Sequence, residues 1–92
     1  MTEQEYSKCE KLMEEAIRTA KNSKSDYEAY DRLLKEGKAI DAECKLRIAD
    51  IESGYAEGIN QVLSILGFKH DRMDELTKAN NDVVKHFYNT LT

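Results

Sequence analysis

The sequence has no proline, no tryptophan and no long apolar run. A membrane-spanning helix needs roughly 18 consecutive apolar residues, and no segment approaches that length. The acidic start from Met1 to Glu5 lacks the basic and then apolar layout of a signal peptide, so we expect a cytoplasmic protein without a membrane role. Ninety-two residues make a single domain with a thin core.

Cysteine is also scarce. Cys9 and Cys44 are too few and too far apart for a disulfide scaffold or a zinc site. Each falls on an apolar helical stripe, where cysteine acts as a small hydrophobic residue. We therefore expect two reduced thiols in the core.

Motifs that carry chemistry are missing as well. The chain has no glycine-rich phosphate loop, and nothing local places a base beside Cys9 to make it a nucleophile. Asp82 and His86 lie four residues apart on one helix face, but no second acid–histidine set completes a metal site. We predict no catalytic residue, no cofactor and no metal, hence a protein that is not an enzyme.

Charge of either sign never dominates. The formal net charge is −4, with acids and bases interleaved throughout. Because a protein that binds nucleic acid through the phosphate backbone needs a basic surface, we consider nucleic-acid binding unlikely as the main activity.

Apolar residues at spacings of three and four predict an all-α protein. Thr2 and Glu5 fit a capping box that begins a first helix. Its stripe consists of Tyr6, Cys9, Leu12, Met13, Ala16, Ile17 and Ala20. We expect this helix to end at the polar stretch 21–24, where the stripe stops.

A second capping box, Ser25 to Glu28, predicts a new and much longer helix that reaches Leu66. Gly67 is placed to end it in the left-handed conformation, with Phe68 folding back on the last turn. The long stripe passes through Gly37 and Gly54. It comprises Tyr27, Tyr30, Leu33, Leu34, Gly37, Ile40, Cys44, Ile48, Ile51, Tyr55, Ile59, Val62, Leu63 and Leu66.

A last helix follows Asp71, which can cap it, and Asp74 and Glu75 suit its first turn. Its stripe consists of Met73, Leu76, Asn80, Val83, Val84, Phe87 and Leu91. The fold expected is an antiparallel bundle of three helices over residues 1–92, with a long central helix.

The length of that central helix sets a constraint. A continuous helix from Asp26 to Leu66 would be about 60 Å long, whereas a compact chain of this size is roughly 32 Å across. Either the chain breaks at Gly37 or Gly54 and forms four helices, or a second subunit covers the overhanging stripe. We favour a homo-oligomer because the stripe runs through both glycines.

Gly54 and Gly58 form a Gly-x-x-x-Gly element, which permits close approach of another helix. A hinge at Gly54 and no role at all are the competing interpretations. Asn80 lies on the last stripe, where a buried asparagine can fix the register of a helical interface, although an asparagine facing water is the simpler reading. The candidate interface residues are Gly54, Tyr55, Gly58, Ile59 and Asn80.

The spacing around Gly67 resembles the helix–turn–helix of small bacterial and phage DNA-binding regulators over about twenty residues. The residues that carry this resemblance are Val62, Leu66, Gly67, Phe68, Met73 and Leu76. Leu63 stands where the motif needs a small residue. Acidic residues are concentrated at the start of the helix that would contact the DNA bases.

The function predicted is therefore a small non-enzymatic interaction protein that self-associates and binds another macromolecule. Such a makeup is common in small accessory proteins of bacteria and their phages. A helix–turn–helix regulator and a ligand-binding oligomer with a site between subunits are the alternatives.

Overall fold

The computed structural model describes the backbone of residues 1–91 and the side chains of residues 1–83. Three helices make up the fold: α1 (Glu3–Lys35), α2 (Ala39–Ile65) and α3 (Met73–Leu91). The described residues include no strand, so the all-α, three-helix prediction is confirmed. The boundaries between the first two helices differ from those expected.

The start of α1 is as predicted, because the Glu5 amide donates to Thr2 Oγ1 over 3.1 Å. The expected connection at 21–24 is wrong, since α1 continues through it to Lys35. That stretch contains no residue that breaks a helix, and Ser23 takes an inward position of the stripe. Its buried hydroxyl donates to the carbonyl of Ala49 over 2.8 Å. The stretch from Ser25 to Glu28 therefore lies inside α1 and does not begin a new helix.

The chain reverses at Gly37 instead. Gly37 has φ +78°, the left-handed conformation that glycine adopts without a Cβ penalty. The Lys38 amide donates to the Leu33 carbonyl and the Gly37 amide to the Leu34 carbonyl, which closes the helix end. Of the two proposed break points, Gly37 is correct and Gly54 is not, because Gly54 lies inside α2. The longest helix is consequently the first, not the central one.

The end of α2 confirms the prediction at Gly67. This residue has φ +72°, and the Phe68 amide donates to the Leu63 carbonyl over 3.0 Å. Phe68 is only 5% exposed, so it does fold back on the last turn of α2. After the turn at 66–72, α3 begins at Met73 rather than directly after Asp71.

The three helices run up, down and up, with α3 alongside α1. Three clusters of buried residues follow one another along the bundle. The first holds the large side chains, the second contains one alanine from each helix, and the third contains an aromatic residue. In order they are Cys9, Met13, Ala16, Ile17, Leu63, Phe68 and Leu76; then Ala20, Ala56 and Ala79; then Tyr27, Ala49 and Val83.

The inward face of α2 explains the shape of the molecule. It presents Ala42, Ala49, Ala56 and Leu63, one residue every seven, all fully buried. Because alanine leaves room for a neighbouring backbone, α1 and α2 lie side by side along most of their length. The α1 helix, with 33 residues, is about 50 Å long. The molecule accordingly measures 52 × 22 × 16 Å, an elongated rod.

The prediction for the thiols is half correct. Cys9 is buried at 7% exposure, but Cys44 is exposed because it lies away from the alanine face of α2. The side chains of Val84, His86, Phe87 and Leu91 lie outside the described residues. The predictions made for them stay predictions.

Candidate interaction surface

The outward face of α2 carries a row of large apolar side chains that no described residue covers. Five of them are between 46% and 83% exposed: Ile48, Ile51, Tyr55, Val62 and Ile65. With Cys44 and Gly58 they recur at alternating spacings of three and four, the period of a coiled-coil seam. We call the seven residues Cys44, Ile48, Ile51, Tyr55, Gly58, Val62 and Ile65 the outer seam.

The outer seam exists because α2 has two apolar faces. The inward face uses mainly alanine together with Leu63, and most of the large side chains that the sequence predicts as core lie on the other side. An isolated exposed Ile is ordinary on a protein surface, but a contiguous row is not. The seam is therefore the feature of this molecule that most needs a functional explanation.

An apolar groove of about 350 Å³ opens beside the middle of the seam. The two glycines form its open part: a Cβ added at Gly54 or Gly58 would meet no atom within 4 Å. The groove is lined by Leu12, Gly54, Tyr55, Gly58, Ile59, Val62 and Leu63. Four of the five predicted interface residues are thus brought together in one place.

The geometry excludes one interpretation of the Gly-x-x-x-Gly element. Gly54 is not a hinge, because it is helical and the positive φ angles belong to Gly37 and Gly67. Nor does the described part of the chain pack closely against either glycine of the element. Among the described residues, therefore, nothing supplies a close contact at Gly54 and Gly58.

Tyr55 is held at the edge of this groove. Its hydroxyl donates to Glu15 Oε1 of α1 over 3.0 Å. This hydrogen bond, more than burial, raises the pKa of Tyr55, so the phenol remains a neutral donor. Tyr55 is 46% exposed and lies beside Gly58 in the lining of the groove.

Asn80 is not part of the groove. It belongs to α3 and lines a small polar cleft between α2 and α3, with Ser53 and Asn60 of α2 on the other wall. Its Nδ2 atom is inaccessible to solvent and has no hydrogen-bond partner among the described residues. The structure therefore separates Asn80 from the other predicted interface residues.

A polar cluster between α1 and α2 was not found from the sequence. Lys45 Nζ lies 3.5 Å from Asp26 Oδ1, and Glu52 lies beside the same aspartate. Burial, followed by the hydrogen bond to Asp26 and its negative charge, raises the pKa of Glu52 to about 7, while Lys45 opposes the shift. The signal in the sequence is weak, because Asp26 and Glu52 come from different helices.

The same junction contains the Tyr27 hydroxyl, which donates to Asp50 Oδ1. Burial and the neighbouring carboxylate raise the pKa of Tyr27. The hydrogen bond between Tyr27 and Asp50 joins α1 to α2 at this junction. Within the described residues, no cluster of histidine, cysteine and acidic side chains could hold a metal ion.

The start of α3 is tied to α1 by ion pairs. Glu75 accepts from Arg72 and from Lys21 of α1, each over 3.0 Å. These two cations, Arg72 first, hold the pKa of Glu75 at about 2. His70 Nε2 lies 2.9 Å from Glu10 Oε2, close to the ring of Phe68.

The turn between α2 and α3 does not have helix–turn–helix geometry. Seven residues, 66–72, separate the helices, whereas the motif uses a turn of three or four. In addition α3 packs chiefly along α1 and only lightly on α2. The charged residues at its start, Arg72 and Glu75, are engaged in ion pairs.

Comparisons with known proteins add no further guide: no protein-family model, no curated protein and no solved structure matches the chain. In the part of the chain that the structure describes, none of the helices has the length and apolarity required to cross a membrane.

Proposed function

We propose that this protein is a non-enzymatic interaction domain that binds an apolar helix of a protein chain along the outer seam. The single observation that carries the proposal is the exposure of that seam, from Ile48 at 46% to Ile65 at 83%. The period of the seam specifies the partner's chemistry. A helix with its own apolar residues at spacings of three and four can pack against such a face with its side chains inserted between those of the seam.

The energetics favour a covered seam. Fully burying a side chain such as Ile contributes roughly 1.5–3 kcal/mol relative to leaving it exposed. Five large residues of partial exposure can therefore offset the cost of association. The polar residues that border the seam, among them Arg47 and Gln61, provide the hydrated rim typical of protein interfaces.

The groove beside Gly58 adds shape to this surface. A flat apolar row binds any helix weakly, whereas a recess accepts one protruding side chain and fixes the position of the partner. Leu12 of α1 forms the far wall of the recess, so the binding surface includes both helices. Such a recess favours specific binding of one partner over non-specific binding of any apolar helix.

Site-specific photocross-linking in the producing cell tests the proposal. A benzophenone amino acid replaces Val62 on the seam or, as the matched control, Ser64, which is exposed two residues away on another side of α2. We expect a defined protein adduct from position 62 and none from position 64. Equal adducts from both positions, or none from position 62, would refute the proposal.

DNA binding is the alternative function. The mild negative charge, the seven-residue turn and the paired charges of α3 all argue against it. A salt-sensitive mobility shift on duplex DNA, abolished by Arg72→Ala, would favour the regulator over the interaction domain.

A further inference from the structure

We propose that the occupant of the outer seam is a second copy of this chain, whose α2 lies antiparallel to the first. The inference rests on the proposed function, because it names the partner of the same surface. Under the two-fold axis of an antiparallel pair, each residue of one seam meets a different residue of the other, and the same surface serves both copies.

The seam is close to palindromic about the point between Tyr55 and Gly58. In the antiparallel register centred there, Ile48 faces Ile65 of the partner subunit, and Ile51 faces the partner's Val62. Apolar residues of similar size meet in these outer layers. A face evolved for an unrelated helix has no reason to complement itself in this way.

The central layer pairs the largest seam residue with the smallest. Tyr55 would face the partner's Gly58, where the open groove of about 350 Å³ receives the ring. Two-fold symmetry fills the equivalent recess of the first copy with the partner's Tyr55. The recess at Gly58, which no residue described within the chain occupies, then has an occupant on both sides of the axis.

A parallel pairing of the same seams is less favourable. It would place Gly58 against the partner's Gly58 and leave a void, while both Tyr55 rings would compete for one layer. It would also bring Asp41, which is in register with the seam, beside the partner's Asp41. The antiparallel register places Asp41 beyond the end of the partner's α2 and also opposes the two helix dipoles favourably.

The length of the contact suits a dimer of modest strength. Residues 44–65 span about 32 Å of helix. A two-helix contact of this length lies at the small end of specific interfaces, which typically bury about 800 Å² on each partner. We therefore expect a reversible dimer at micromolar protein concentration.

Sedimentation equilibrium of the purified chain tests the stoichiometry. The expected mass rises with concentration from 10.6 kDa towards twice that value. Ile65→Lys should abolish the rise, whereas Ser64→Lys, which adds the same charge at a neighbouring exposed position outside the seam, should preserve it. Circular dichroism of each variant confirms that the helices remain formed.

Two further variants test the register. Gly58→Leu fills the recess, so it should weaken the dimer at least tenfold, and adding Tyr55→Ala should recover part of the loss. In a parallel dimer the outcome is opposite, since Gly58→Leu would fill a void and strengthen association. A strengthened dimer therefore overturns the antiparallel arrangement.

A spin label on the exposed thiol of Cys44 gives an independent distance. In the proposed register the two Cys44 residues are about 37 Å apart along the helix axis, and in a parallel dimer they are adjacent. We expect a distance distribution centred near 40 Å, and one below about 20 Å would overturn the proposal.

Failure of this inference is distinguishable from failure of the proposed function. A mass of 10.6 kDa at every concentration, together with an adduct from position 62 to a different protein, overturns the second copy as occupant and leaves the interaction domain standing. An adduct of position 62 to the same chain supports both.

Discussion

Stability should fall as the pH rises towards neutrality because of Glu52. Its carboxyl is partly buried beside Asp26, with Lys45 nearby, and its pKa is about 7 in the folded chain against an ordinary 4.5. The folded state thus favours the protonated acid. The stabilisation is fully present below the ordinary pKa, is lost mainly between pH 4.5 and about 7, and is absent at higher pH.

The magnitude follows from the size of the shift. A rise from 4.5 to about 7 is worth about 3 kcal/mol if all of it is counted. Since Glu52 keeps some contact with solvent, which screens its interaction with Asp26, we expect about 1–2 kcal/mol. That is a large share of the stability of a small domain with a thin core.

Urea unfolding monitored by circular dichroism at pH 5.5, 6.5, 7.5 and 8.5 measures this directly. Glu52→Gln keeps the shape of the side chain but cannot ionise. The free energy of unfolding of this variant should therefore decline much less with pH, and at pH 8.5 it should exceed that of the original chain. Glu57→Gln, an exposed acid on the same helix, is the matched control and should follow the original chain. A stability that is flat or rising over this range, or an unchanged slope in Glu52→Gln, would refute the reasoning.

Three other predictions follow from the glycines and the thiols. Gly37→Ala should destabilise the chain by about 1–2 kcal/mol in urea titrations, because φ +78° is left-handed. Gly54→Ala should instead stabilise it by up to about 1 kcal/mol, since the helix gains propensity and the new Cβ meets no atom. A thiol reagent should modify exposed Cys44 within the native dilute protein and buried Cys9 only upon unfolding, and equal native rates would contradict the packing described.

The helix boundaries show which local signals were decisive. Gly67 and Thr2 were recognised because each combines a suitable residue with the right neighbours. The stretch 21–24 misled because it is polar, although polarity alone does not end a helix. Ser23 is buried there because its hydroxyl donates a hydrogen bond to the Ala49 carbonyl of another helix. That contact is not visible in the sequence.

The assignment of faces on α2 could not be made from periodicity alone. Its large apolar residues and its alanines both recur with helical spacing, and side-chain size alone predicts the larger set as the core. Packing favours the opposite choice, because Ala42, Ala49 and Ala56 let α1 approach closely. The expectation that Cys44 is buried failed for the same reason.

The candidate surface was partly predictable. Gly54, Tyr55, Gly58 and Ile59 were identified from their spacing, because residues three to four apart share a helix face. Leu12, which completes the groove, comes from α1 and required the tertiary structure. Oligomerisation itself stays a prediction, now based on an exposed seam rather than on an overhanging helix.

Nuclear magnetic resonance tests most directly the central claim that the outer seam joins two copies of this chain. In a sample that mixes isotope-labelled and unlabelled chains, a filtered experiment detects only contacts between different copies. We predict contacts from the ring protons of Tyr55 to the α protons of the partner's Gly58. Intermolecular contacts confined to α3, or none at millimolar concentration, would contradict the account.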